Sequence, residues 1–275
     1  MIDIMIISVL GCGWLGFPLA ERLISKKFTV KGSTTSENKL HLLRQNGIQD
    51  YLIRLPDSLI NPENDSFWNS DILFLNVPPG RSGTGSDSYS ELFSPVLTKA
   101  KESGLQWIIF ASSTSVYPAM GGITREEDSR SGEAAKPSGN EILKAEERIR
   151  SSGMDTTIIR FGGLYGYGRH PVKYLSGKKN LAGALKPVNL IHQVDCLNII
   201  TEIILKNRRN EIYNAVSDGH PPRREFYESA ARYFHLPLPH FLSDKEEGYT
   251  IVSNEKLKTD LQYNFSYPNP MDHTP

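Results

Sequence analysis

The sequence predicts an α/β protein built on a doubly wound parallel sheet, and three observations predict it. Apolar runs that read as strands alternate with helix-period segments from residue 5 to residue 161. Most of these runs are apolar at every position, as strands are when both faces of a sheet are covered. The first strand-to-helix turn holds three glycines, Gly11, Gly13 and Gly16.

The elements follow in order. "MIDIMIISVL" is apolar but is interrupted by Asp3 and has no basic start. It falls short of the ~20 residues of a bilayer span, so it reads as a strand, with no signal peptide and no membrane partner. The strand proper is residues 5–10. Leu15, Leu19 and Leu23 give helical spacing across 14–26, with Pro18 near the start, where proline is tolerated. Residues 28–33 read as a strand, 37–45 as a helix ended near Gly47, and 51–55 as a short strand. "DILFLNV" (71–77) is a buried strand stopped by Pro78 and Pro79, and "GRSGTGSDS" is a loop leading into a helix over 89–102. A strand over 105–112, the polar loop "TREEDSRSGEAAKPSG", a helix over 141–151 and a strand over 156–161 complete the alternation. Beyond Phe161 the sequence turns Gly-, Tyr- and Pro-rich and its regularity weakens.

Composition narrows the function classes. Lys plus Arg and Asp plus Glu both number 31, with no basic stripe, which argues against a nucleic-acid partner. Cys12 and Cys196 are the only cysteines and lack metal-type spacing, so the reading is a reducing, cytoplasmic setting with no disulfide scaffold and no metal site.

The glycine turn carries the functional signal. In a β-α turn, Gly11 permits the bend, Gly13 lets the main chain approach a pyrophosphate, and Gly16 lets the helix pack against the sheet. The helix start, with Trp14 and Leu15, presents amides and a partial positive charge to the phosphates. Residues 1–162 are therefore expected to form a Rossmann-type dinucleotide-binding domain. Residues 163–275 are expected to form a smaller, discontinuous substrate lobe, some of whose segments return to the sheet. Enzymes that take NAD place an acid at the end of the second strand. Here that end reads "VKGSTTSENK", with no acid before Glu37. Ser33, Thr34, Thr35 and Ser36 suit a 2′-phosphate, with Lys31 or Lys39 as counter-charge, so NADP is favoured over NAD. Val77 and Pro78 end the fourth strand beside the expected cofactor crevice, in the segment 77–80.

Several segments together resemble one family. "GCGWLG" resembles a cofactor loop, "ASSTSVYP" a Ser-x-x-Val-Tyr segment after the fifth strand, and "IIRFGGLYGYGR" an Arg-Pro-x-x-Val-Tyr-Gly-Pro-Gly segment. "NLIHQVDCLNII" resembles a His-Val-Asp-Asp helix start, and "YNAVSDGHPPRREFYESAARYF" a C-terminal lobe. Over nearly its whole length the chain is similar to the extended short-chain dehydrogenase/reductase (NAD-dependent epimerase/dehydratase) family, and within it to the atypical YeeZ-like subgroup. The resemblance implies a dinucleotide-dependent oxidoreductase or epimerase for a small polar, sugar-like substrate, and leaves a homodimer open. It places Ser112, Phe161, Gly162 and Leu164 beside the cofactor and Ser113 on the substrate hydroxyl or carbonyl.

The resemblance also exposes a gap. The family's general acid/base is a tyrosine with a lysine four residues later. That pair should lie near "PSGNEILKAEE", where there is no tyrosine. Alignment through Ser113 and Glu146 puts Ser138 and Ile142 at the pair; alignment through Lys144 puts Asn140 at the tyrosine. A positioned acid/base contributes ~10²–10⁴ in rate, so either Tyr117, Tyr165 or Tyr167 substitutes, or the substrate needs no strong acid, or the chain binds dinucleotide without catalysis. Tyr117 reads more readily as loop packing than as catalyst, Lys144 as a solvated helix lysine, and Ser113 equally as catalyst and as a strand-end serine bonded to backbone. Tyr165 and Arg169 are the substrate candidates, Arg169 as a clamp for an anion. Asp195 is expected to stabilise the start of its helix.

Overall fold

The computed structural model describes residues 5–78, 89–119, 121–242 and 250–272. Pro79 and Gly80 of the 77–80 segment, the "GRSGTGSDS" loop and residues 1–4 of the first strand reading lie outside the described residues.

In chain order the elements are β1 (Ile6–Leu10), α1 (Gly16–Ser25), β2 (Thr29–Thr34), α2 (Leu40–Gln45), β3 (Gln49–Leu52), α3 (Asp65–Trp68), β4 (Ile72–Leu75), α4 (Phe93–Glu102) and β5 (Trp107–Ser113). They continue with β6 (Gly122–Thr124), α5 (Pro137–Arg150), β7 (Asp155–Phe161), β8 (Gly163–Tyr165), α6 (Val172–Leu175), β9 (Leu190–His192), α7 (Gln193–Leu205), β10 (Glu211–Ala215), α8 (Arg223–Tyr233), β11 (Thr250–Val252) and α9 (Glu255–Leu261). Seven strands form one sheet in the order β10-β7-β5-β4-β1-β2-β3, a Rossmann-type arrangement. The registers β1/β2, β1/β4, β2/β3 and β4/β5 are all parallel. Parallel pairing brings the carboxyl ends of these strands to one edge, where such sheets hold ligands.

Contacts divide the chain into two compact units, 1–112 with 137–159 and 203–212, and 113–136 with 160–202 and 213–275. In the first unit, Ile7, Val9, Leu73, Phe74, Ile108 and Ile109 are fully buried in the sheet, which explains their unbroken apolar runs. Helix α1 buries Gly16, Leu19, Ala20 and Leu23 at helical spacing. Helix α5 starts at Pro137, earlier than its apolar pattern suggests, because proline is tolerated in a first helical turn. In the second unit, Tyr165, Val188, Leu190 and Phe226 form a core cluster.

Two sequence expectations change here. The polar loop expected from Thr124 overlaps a strand at its first residue: Gly122–Thr124 pairs in parallel with β11. The partner strand lies more than a hundred residues away and cannot be read locally. The 37–45 helix is a 3-10 turn, Glu37–Lys39, followed by the short α2.

Candidate functional site

The glycine loop is built by three different constraints. Gly11 has φ +108°, and a Cβ there would lie 2.5 Å from the Asn76 carbonyl oxygen. Gly16 is tighter still, with a Cβ falling 2.2 Å from the Gly11 carbonyl oxygen. At Gly13 a Cβ would meet nothing within 4 Å, so this glycine is not required by packing. It faces open space just ahead of helix α1. That helix has no side-chain cap at Leu15 and no acid in its first turn, so no side chain of its own answers its positive end. An uncapped helix start beside an open, side-chain-free approach suits a diphosphate.

Two residues that the sequence reading passed over hold the loop in place. Asn76 Nδ2 donates to the Gly11 carbonyl (2.9 Å), tying the end of β4 to the turn. Gly32 in β2 is required by packing, since a Cβ there would fall 2.6 Å from Ile48 and 2.7 Å from the Cys12 sulfur. Burial pushes the Cys12 thiol up to about 12, so it is an inert packing group.

The end of β2 departs from the sequence expectation in its details. Ser33 Oγ accepts from the Gly11 N–H (3.0 Å), and Ser33 N–H and C=O lie in the strand, where the carbonyl accepts from Cys12 N (2.8 Å). Ser33 is thus a buried strut of the turn. Thr34 is also buried, its Oγ1 accepting from Ser36 N (3.2 Å). Thr35 is exposed and Ser36 half-buried. Lys31 is not available as a counter-charge: its Nζ is buried and donates to the carbonyls of Ser66 and Asn69, 2.5 Å each. Lys39 is exposed. A basic group that the sequence reading missed does lie at this end: Arg54 donates from Nε to the Thr35 carbonyl (3.0 Å) and from Nη2 to Glu37 Oε1 (3.2 Å). Beyond β4, Val77 is half-buried and accepts from the Tyr89 hydroxyl (2.7 Å), while Pro78 is exposed.

On α5, Ile142 is buried, Asn140 half-buried and Ser138 exposed. Lys144 is exposed and pairs with Glu141 (2.7 Å), one turn away on the same helix. Ser112 donates to Glu146 Oε1 (2.5 Å) in a buried contact.

In the second unit, Ser113 Oγ accepts from Ser115 N (3.1 Å), the backbone-bonded arrangement. Tyr117 is buried. Its hydroxyl donates to Asn214 Oδ1 (2.6 Å) and accepts from Arg160 Nη1 (2.9 Å), and the guanidinium also lies over its ring. Burial pushes the Tyr117 hydroxyl up to about 12, against the pull of Arg160. Arg160 donates further to the Glu126 carbonyl (2.8 Å) and Ser129 Oγ (2.9 Å), and Glu126 Oε1 accepts from Asn214 N (2.8 Å). The Tyr117 hydroxyl is thus held in a network of buried polar groups of the second unit.

Phe161 is buried, and Gly162 is required because a Cβ would lie 2.7 Å from the Asn189 carbonyl. Leu164 is half-buried in β8. Tyr165 is 2% exposed and packed inside the core cluster. Arg169 and Tyr167 are exposed. Asp195 lies in the first turn of α7, where its charge suits the helix dipole as expected, and its hydrogen bonds reach further along the chain. It accepts from the Tyr263 hydroxyl and from the backbone of Ser266 and Tyr267 (2.6, 2.7 and 2.9 Å). His192 Nδ1 accepts the first-turn Val194 N–H (3.2 Å). Among the described residues there is no cluster of three or more His, Cys, Asp or Glu that could hold a metal ion. Among them, no helix is long and apolar enough to cross a membrane.

Comparison with known proteins places this geometry. No protein-family model matches the chain. Protein YeeZ of Escherichia coli (strain K12) is 31% identical over 269 residues, which span 96% of this chain and 97% of that protein. The fold is shared with UDP-glucuronic acid 4-epimerase from Bacillus cereus, solved in complex with NAD, at TM-score 0.77 and 18% identity over 98% of this chain and 95% of that one. It is also shared with a short-chain dehydrogenase/reductase superfamily protein from Agrobacterium tumefaciens with bound NAD, at TM-score 0.73 and 16% identity over 97% and 95% of the two chains.

Proposed function

Because the chain belongs to the YeeZ family and shares its fold with short-chain dehydrogenase/reductase and epimerase structures, we propose that it binds NADP, or NAD in its place, and acts on a small polar, sugar-like substrate by reduction, oxidation or epimerisation. The observation that carries the reading is the contrast within the glycine loop. Gly11 and Gly16 are packed against backbone, while Gly13 leaves open space at an uncapped helix start. The relatives of the fold described with NAD and with UDP-sugar epimerisation support the substrate class.

Gly13, Trp14, Leu15 and Gly16 would hold the pyrophosphate through main-chain amides and the helix dipole. Val77 and Pro78 would flank the adenosine side. When bound, the nicotinamide supplies a carbon that exchanges hydride. Ser113 would orient the reacting oxygen. The family tyrosine being absent, a proton reaches that oxygen from solvent or from the substrate itself, at a cost of up to ~10²–10⁴ in rate.

A second reading, a dinucleotide-binding protein without catalysis, is favoured by two observations. Tyr117 is buried with its hydroxyl engaged on both sides, and Lys144 is paired at the surface. The experiment that separates the two readings follows NADPH fluorescence on binding, then turnover on a panel of carbonyls and nucleotide-sugars, with epimerisation scored by chromatography. Turnover lost in Ser113→Ala supports the enzyme. Tight binding with no turnover supports the second reading. Absence of binding to either coenzyme removes both.

A further inference from the structure

Asn46 is the one asparagine of the chain followed by glycine, and the pair forms an exposed corner between α2 and β3. The backbone calls for the glycine: Gly47 has φ +74° just past the helix end, the usual place for a left-handed residue. Having no Cβ, Gly47 leaves its main-chain nitrogen open to approach by the neighbouring side-chain amide. The fold restrains both groups. Asn46 Nδ2 donates to the Leu42 carbonyl (2.9 Å), and Gly47 N donates to the Arg44 carbonyl (3.1 Å). Those bonds last only while the final turn of α2 is closed. That helix has six residues and buries only Leu43, so opening its end uncovers little apolar surface. One clamp spans the corner. Arg44 Nε and Nη2 donate to Asp50 Oδ1 and Oδ2 (3.0 and 2.8 Å), tying the helix to β3 across Asn46 and Gly47. The Arg44 side chain is 73% exposed, and a solvated pair of this kind is weak.

We propose that Asn46 is a site of spontaneous deamidation and that the Arg44–Asp50 clamp gates it. When the last turn opens, the Gly47 nitrogen gives its proton to solvent and attacks the Asn46 side-chain carbonyl carbon. A new C–N bond forms, the bond from that carbon to Nδ2 breaks, and the leaving nitrogen takes a proton from water to depart as ammonia. Water then opens the cyclic imide at either carbonyl and leaves aspartate or isoaspartate. Aspartate sets a negative charge at the carbonyl end of α2, the unfavourable end for it. Isoaspartate lengthens the main chain by one methylene between Leu43 and Ile48, whose N–H···O bond (Ile48 N to Leu43 O, 3.1 Å) closes the corner. Both side chains are buried over Gly32 of β2, beside Cys12 of the glycine turn, so the added length strains that packing. The site stands whether or not the glycine turn holds a dinucleotide.

The test incubates the full-length protein at mildly alkaline pH, folded and in urea, and follows the amide-to-acid mass shift at Asn46 by peptide mapping, with isoaspartate scored by fragmentation. In folded wild type, Asn46 is expected to convert ahead of Asn38, which is also exposed but is followed by Lys39, and to give mostly isoaspartate. Arg44→Gln is expected to speed conversion of the folded protein about two- to fivefold, the size of a lost exposed ion pair, and to leave the rate in urea unchanged. Asn46→Gln is expected to stop conversion at that position, since the longer side chain forms the ring poorly. Conversion of Asn46 no faster than that of Asn38, or aspartate with no isoaspartate, overturns the site. A folded Arg44→Gln rate equal to wild type, or an equal acceleration in urea, overturns the gate.

Discussion

Replacing Tyr117 with phenylalanine distinguishes a packing hydroxyl from a catalytic one. The change removes a 2.6 Å bond to Asn214 and a 2.9 Å bond from Arg160 while keeping the ring under the guanidinium. A neutral buried hydrogen bond contributes ~1 kcal/mol and one from a charged donor ~1.5–3 kcal/mol. Arg160 retains the Glu126 carbonyl and Ser129 Oγ, so the lower part of the second range applies. Asn214 Oδ1 loses its Tyr117 donor in a buried site where, among the described residues, Nδ2 also lacks a hydrogen-bond partner. The expected loss is about 2–3 kcal/mol. With an unfolding slope of about 3 kcal/mol per M, the urea midpoint falls by about 0.7–1 M. Coenzyme affinity and any turnover per folded molecule stay within about twofold, because the hydroxyl is internally engaged. Urea titration followed by tryptophan fluorescence, with activity measured on the folded fraction, reads both quantities. A midpoint within about 0.2 M of wild type, together with a hundredfold loss of turnover, would falsify the packing assignment and make Tyr117 the missing proton donor.

Other predictions use the same two readouts. Gly13→Ala, with open space around its new methyl, is expected to hold stability within about 0.5 kcal/mol yet weaken coenzyme binding at least about tenfold; Gly16→Ala, which forces a methyl against the Gly11 carbonyl, is expected to lose about 1–3 kcal/mol of stability. Equal stability of the two variants would refute this division of labour. Lys31→Met leaves the Ser66 and Asn69 carbonyls without their buried donor, so stability falls by about 1–3 kcal/mol while the NADPH-to-NADH affinity ratio is unchanged. A collapse of that ratio would return Lys31 to the phosphate site. Burial lowers the His192 and His220 imidazoles below their usual range, with Asp195 partly offsetting the effect at His192. Groups depressed in the folded state stabilise above their unfolded value, near 6.5, and lose that contribution as pH falls through the window beneath it. Stability should therefore drop from pH 7.5 towards 5.5, by up to about 1.4 kcal/mol per pH unit for each histidine, with His192→Gln flattening the slope. Glu126, which burial raises, acts in the opposite sense above its usual 4.5. A flat profile in urea titrations across that range would contradict the assignment.

The alternation of strands and helices and the glycine turn were legible because both are local. A strand repeats every second residue and a helix about every 3.6, and a β-α turn confines its glycines to six positions. The amino-acid order by itself therefore determined the sheet-and-helix class and the loop from Gly11 to Gly16. Short elements such as α3 and β6 escaped because they take their stability from partners distant in sequence.

Which polar side chains remain free for a ligand was a matter for the tertiary structure alone. Ser33, Lys31, Ser112 and Tyr117 look equally free in the sequence, but folding engages each with a group 22 to 97 residues away. Arg54 moves the other way: it lies 19 residues from Thr35 in the chain and becomes its neighbour only because β3 pairs beside β2. A hydrogen bond depends on distance in space, and the order of strands in a sheet sets that distance with no trace in local residue patterns.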